Sequence, residues 1–332
     1  MQGNKRSRIA VVLMSVGSPQ NQDEIAEYVN SIRKEHKVTR ALVVGVLKDP
    51  SNAAMVVRAM RNPTREQMES LAEKYRQIGG RSPLLSITLK QAAGLRSRLW
   101  SRGLDAKVVV AMKRLHPSIK EALSSIEGTH RMHVIGIVMF PTYSSIYSDE
   151  YEEMFASAIR DSGIKSASVV KSWDKNSKFL SAWRESISKA YAPLRKRRTM
   201  VVFATHSMPK VFIDGGDPYI KNFESLARNL AVKLRIRNWT CAYYTGGHSA
   251  PVQEVTQCIS RCKSNGYEHV LLVPLGYVAD NFETLYGLGL MCDKAAKRFG
   301  IGITRMRPLN YSKKLVDALS DIVIERVRSM DK

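Results

Sequence analysis

The sequence predicts an α/β protein made of two similar, doubly wound domains, each built on a parallel sheet, with a cleft between them. Short apolar runs, rich in β-branched residues, alternate with amphipathic stretches of helical length. The runs are Ile9–Met14, Lys107–Met112, Val134–Phe140, Met200–Ala204, Thr240–Tyr244 and Val270–Pro274. Continuous apolar strands of this kind belong to parallel sheets covered on both faces. The halves also echo each other. Residues 11–19 (VVLMSVGSP) align without a gap on residues 201–209 (VVFATHSMP) at an offset of 190, which sets Val16 opposite His206. His133-Val134 and His269-Val270 open corresponding late strands. A length of 332 residues suits two domains of ordinary size.

The expected division is residues 1–165, residues 166–310, and a C-terminal helix within 311–332 that packs back on the first domain. Hydrophobic residues at 44% and charged residues at 25% leave enough apolar material for a real core. No apolar run approaches the roughly 20 residues needed to span a bilayer. Residues 1–8 run straight into the first strand without room for a signal peptide, so the expected location is the cytoplasm. Cys241, Cys258, Cys262 and Cys292 form no CxxC pair, and they read as buried thiols in a reducing compartment. The net charge of +22 points to an anionic partner. The densest basic run, Arg195 to Arg198, reads as a solvated helix end, and no aromatic-basic motif accompanies it. Nucleic acid is therefore not the expected partner.

In open α/β sheets, ligands bind beyond the carboxyl ends of the strands. Taken in chain order, the first informative segment is Gly79-Gly-Arg-Ser-Pro-Leu84. It is a tight turn without GxGxxG or a Walker lysine, so it is no nucleotide site. Tyr143, Tyr147 and Tyr151 recur every fourth residue, the spacing of one helical stripe and by default a core stripe. His206 ends a strand within Ala204-Thr-His-Ser-Met-Pro209, displayed at the ligand edge. Glu283 follows the strand ending at Pro274. It is either the N3 partner of an Asp280 helix cap or, with His206, half of a metal or proton-transfer site. Met14, Met112, Met139 and Met208 stand at or just past strand ends, where their side chains fill core or line a flat apolar cleft.

Together these segments resemble the ferrochelatase family. The resemblance runs through Met14–Pro19, Glu73–Leu84, Met112–Pro117, Pro141–Tyr151, Lys171–Trp183, Ala204–Pro209 with Gly216-Asp-Pro-Tyr219, and Pro274–Tyr286. It implies two chelatase-type, Rossmann-like domains and insertion of Fe²⁺ into a porphyrin, with coproporphyrin slightly favoured over protoporphyrin. Fe²⁺ is then a substrate, and no cofactor is expected. His206 and Glu283 become the pair that binds the metal and accepts protons. Arg33, Lys74, Tyr75, Ser82, Lys113 and Tyr151 match positions that hold the substrate's carboxylates. The partner is the anionic porphyrin, with a membrane surface or another haem-pathway enzyme as a peripheral contact.

The chain departs from the family pattern at several places. Val16 stands where relatives carry Tyr or Met facing the metal. Gly287 and Met291 replace a helical line of acids beyond Glu283, and Gly247-His-Ser-Ala-Pro251 replaces a Trp-Leu-x-Pro segment, leaving His248 as a loop residue. The alternatives are a chelatase for another tetrapyrrole or metal, and a non-catalytic porphyrin or haem carrier.

Overall fold

A computed structural model describes residues 9–33, 64–128, 131–245 and 252–330. Among the described residues, eight strands form two four-stranded sheets, parallel throughout. The first holds β1 (Ile9–Ser15), β2 (Ala106–Met112), β3 (His133–Val138) and β4 (Ser166–Val170) in the order β2-β1-β3-β4. The second holds β5 (Thr199–His206), β6 (Trp239–Tyr244), β7 (His269–Val273) and β8 (Gly302–Arg305) in the order β6-β5-β7-β8. The sheets thus share one topology. Of the four inner strands, β1 and β7 are buried along their whole length and β3 and β5 nearly so, which explains the unbroken apolar runs.

Two strands lacked a clear apolar run, β4 and β8. They are edge strands with exposed positions, so their sequences are mixed. β4 pairs with β3 from Ser166 onward. The first sheet therefore ends at Val170, and a boundary at 165 falls in front of its last strand. A single apolar core joins the halves, since Val11 and Leu13 of β1 belong to the same cluster as Val201 and Phe203 of β5.

The last helix, Lys313–Arg328, packs on the helices Leu84–Ser101 and Ser177–Tyr191. Its apolar face contributes Leu315 and Leu319 to the shared core. Ion pairs from Arg98 to Asp317 (2.6 Å) and from Arg102 to Asp321 (2.5 Å) flank that seam. Among the described residues, no helix is long and apolar enough to cross a membrane.

Candidate active site

Both sheets direct the carboxyl ends of their strands at one cleft of about 220 Å³. Val16 follows β1, Lys113 and Arg114 follow β2, and Met139 follows β3; His206 ends β5 and Glu283 follows β7. His206 Nδ1 lies 3.2 Å from Glu283 Oε2. The same carboxylate oxygen accepts the Tyr277 hydroxyl at 2.6 Å. Burial lowers the proton affinity of His206, but the adjacent Glu283 carboxylate outweighs it and the net shift is upward. For Glu283, burial raises the affinity, and His206, the Tyr277 hydroxyl and the Arg114 charge together pull it below the ordinary carboxylate value. Burial and the neighbouring carboxylate keep Tyr277 protonated, so it remains a donor.

The turn between β7 and the next helix decides where Glu283 points. The cap there is a reciprocal pair: Thr284 N donates to Asn281 Oδ1 (3.0 Å) and Asn281 N donates to Thr284 Oγ1 (2.9 Å). Asp280 and Glu283 do not form the capping box that their spacing allowed. Asp280 instead accepts from Thr284 Oγ1 (3.0 Å), Arg305 Nη1 (3.2 Å) and Asn310 Nδ2 (2.9 Å), which ties the turn to the end of β8 and to the loop before the last helix. With the helix end satisfied by Asn281, Glu283 is left to face His206.

Helix Glu283–Met291 is π-type, and its Gly287 lies against the Tyr244 ring. A Cβ there would come within 2.4 Å of Tyr244 Cε2. The replaced acid at this step is therefore occupied by an aromatic face. Among the described residues, no group of three or more His, Cys, Asp or Glu side chains could hold a metal.

The structure brings His206, Glu283, Lys113 and Tyr151 together around the cleft. Lys113 is paired with Glu150 at 2.8 Å, with both side chains nearly buried, and it sits over the Tyr151 ring at 5.7 Å. Tyr75 and Ser82 do not line the cleft; each is 1% exposed. The Tyr75 hydroxyl lies 3.1 Å from Ser18 Oγ, its ring stacks on Phe282, and Ser82 Oγ accepts from Leu84 N. Lys74 lies over the Tyr286 ring. Arg33 closes the helix Glu24–Arg33, and its side chain lies outside the described residues, as does His248.

The tyrosine stripe is divided. Tyr147 and Tyr151 share helix Tyr147–Asp161 and line the cleft, whereas Tyr143 precedes the helix and donates to Asp149. Val16 reaches the cleft but carries no ligating atom. Sequence reading passed over Arg114 and Tyr28, which also line the cleft. The available signal for Arg114 was its place two residues past the end of β2, beside Lys113.

The chain matches the ferrochelatase family model over residues 8–327. It is 25% identical to a coproporphyrin III ferrochelatase of Geobacillus sp. (strain WCH70), over 97% of this chain and 99% of that one. It is 27% identical to a ferrochelatase of Herpetosiphon aurantiacus, over 96% and 98%. Among solved structures, the sirohydrochlorin chelatase of Bacillus subtilis subspecies spizizenii, determined with cobalt, superposes with a TM-score of 0.51 at 9% identity, covering 94% of this chain and 92% of that one. A multi-domain Deinococcus radiodurans protein described as similar to chelatases gives 0.53 at 11% identity, covering 95% of this chain and 54% of that one. With one topology repeated in two sheets, a His–Glu pair in the cleft they face, and a family match from end to end, the chain belongs to the ferrochelatase family.

Proposed function

We propose that this enzyme, a lyase, inserts Fe²⁺ into a porphyrin at the His206–Glu283 pair, and that coproporphyrin is its preferred substrate. The observation that carries the reading is the 3.2 Å approach of His206 Nδ1 to Glu283 Oε2 on the cleft wall. Insertion requires two pyrrole N–H protons to leave as the metal enters. An ionised carboxylate beside an imidazole supplies proton acceptors and two ligands of the kinds that iron accepts. The pair holds two coordination positions and leaves the others for porphyrin nitrogens. Tyr277 keeps the Glu283 carboxylate oriented by donating to it.

Relatives named as coproporphyrin III ferrochelatases support the substrate preference. The net charge of +22 supports fast, salt-sensitive capture of a polyanionic porphyrin, and is compatible with a peripheral contact to an anionic surface. In this reading Fe²⁺ is a substrate and the enzyme works without a resident cofactor. Free thiols at all four cysteines support a reducing, cytoplasmic setting.

The test is anaerobic incubation with Fe²⁺ and either coproporphyrin III or protoporphyrin IX, followed by absorbance. The enzyme converts the free-base spectrum over many turnovers, and His206→Ala abolishes conversion while still folding. A single stoichiometric spectral shift would instead identify a carrier. Full turnover by folded His206→Ala would remove the pair from the chemistry.

A further inference from the structure

The segment Gly216-Asp-Pro-Tyr219 lies apart from the His206–Glu283 pair, yet it joins the two walls of the cleft. Asp217, 8% exposed, sends its carboxylate from the second half of the chain to the start of the first-half helix Tyr147–Asp161. Its Oδ2 accepts from Ser144 Oγ (2.8 Å), Ser145 Oγ (2.9 Å) and Ile146 N (2.9 Å). Its Oδ1 accepts from Tyr219 N at 2.8 Å. The residue at the helix N-cap, Ile146, has no side-chain acceptor of its own. A carboxylate from 71 residues away meets that backbone donor and complements the positive end of the helix.

Both ends of this connection bear on the cleft. The helix carries Tyr147 and Tyr151 into the lining. On the other side, the Tyr219 hydroxyl shares a hydrogen bond with Thr205 Oγ1, on the residue before His206. Thr205 is confined from behind by Gly276, where a Cβ would fall 1.8 Å from its Oγ1. The Tyr219 ring lies 5.0 Å from Phe140, which in turn meets the Tyr147 ring edge-on at 6.4 Å. Asp217 and Tyr219 therefore link the tyrosine wall of the first half to the strand end that displays His206.

We infer that Asp217 is a positioning residue: it sets the Tyr147–Tyr151 wall relative to the His206–Glu283 wall, and with it the seat of the macrocycle over the pair. A planar, rigid substrate transmits any error in that spacing to its reacting nitrogens, and a displacement of about 1 Å can cost about a hundredfold in rate. An ionised carboxylate suits the task, because its two oxygens accept from several donors at once and its charge strengthens each bond. An amide of the same shape presents one donor group to this ring of donors. The inference rests on the porphyrin reading of the site and concerns a residue that acts through the walls.

The experiment compares wild type, Asp217→Asn and Asn176→Ala. The last removes the cap of helix Ser177–Tyr191, which has no residue in the cleft lining, and serves as a matched loss of stability. Three quantities are read: the urea midpoint, kcat for Fe²⁺ insertion at saturating coproporphyrin III, and the induced Soret circular dichroism of bound metal-free coproporphyrin III. Asp217→Asn should lower kcat by roughly tenfold or more and weaken the dichroism per bound porphyrin. Asn176→Ala should lower the urea midpoint and leave the other two readings at wild-type values. If Asp217→Asn does not fold, Ser145→Ala removes one of the bonds to Oδ2 and should show losses in the same direction. Wild-type kcat and dichroism in a folded Asp217→Asn protein, or equal losses in Asn176→Ala, would overturn the inference. Dichroism separates it from the proposed reaction. A chain that loses the signal in Asp217→Asn but inserts no iron keeps this positioning role and defeats that reaction, and one that inserts iron equally well in both defeats the positioning role alone.

Discussion

The Tyr277 hydroxyl donates to Glu283 Oε2 at 2.6 Å, the same oxygen that faces His206. The carboxylate is thereby held by a donor that burial keeps protonated. Tyr277→Phe should lower kcat for metal insertion by roughly tenfold or more, since hydrogen bonds to charged groups are worth about 1.5–3 kcal/mol. Turnover at saturating porphyrin, measured with the unfolding temperature, checks this. A folded Phe variant with wild-type kcat would show that the carboxylate needs no such support.

Capping and chemistry fall on neighbouring residues and should separate by mutation. Asn281→Ala removes the acceptor for Thr284 N and should cost about 1 kcal/mol of stability. Glu283→Gln keeps shape and loses basicity. It should reduce turnover by roughly 10²–10⁴-fold with little change in the urea midpoint. A Glu283→Gln protein that loses stability but keeps its turnover would return that residue to a structural role.

Lys113 and Glu150 are 5% and 10% exposed in their side chains, at 2.8 Å. Removing one partner of such a pair strands a buried charge, at a cost of about 3–5 kcal/mol. Lys113→Met and Glu150→Leu should each show that loss in chemical denaturation, and the double variant should recover most of it. Additive losses in the double variant would mean that the two charges are not coupled.

The two sheets also carry matching histidines. His133 Nε2 lies 2.9 Å from Ser168 Oγ on β4, and His269 Nε2 lies 2.9 Å from Thr304 Oγ1 on β8. Burial, then Arg326, lowers the proton affinity of His133; burial, then Arg197, lowers that of His269. The native state therefore binds fewer protons than the unfolded chain as pH drops. Their contribution to stability is whole above the unfolded imidazole pKa of about 6.5. It is lost as pH falls through the depressed native values. Urea midpoints between pH 8 and 5 should decline less steeply in a His133→Gln/His269→Gln variant. An identical slope would exclude these two groups as the source.

The sequence by itself determined the long apolar strands and the duplicated topology, and it set His206 and Glu283 among the residues that follow those strands. Apolar runs and their repeat report buried parallel strands directly, and the ligand edge of such a sheet follows from strand direction. Position alone left each of His206 and Glu283 a structural alternative, a turn bond or a helix cap, and it was the resemblance carried by the motifs around them that paired them. Edge strands β4 and β8 were illegible, since exposed positions interrupt their apolar pattern.

Only the tertiary structure decided what each polar side chain does. Asp280 could have capped the helix with Glu283, but Arg305 and Asn310, 25 and 30 residues away, draw it elsewhere. Lys113 reads as a carboxylate holder until Glu150, 37 residues later, closes on it. Arg114 gains its place from Gly17 and Tyr28 on other elements. Local spacing fixes which face or edge a residue occupies. The partner that claims its charge is set by packing between elements distant in sequence, where burial makes an unmatched charge costly.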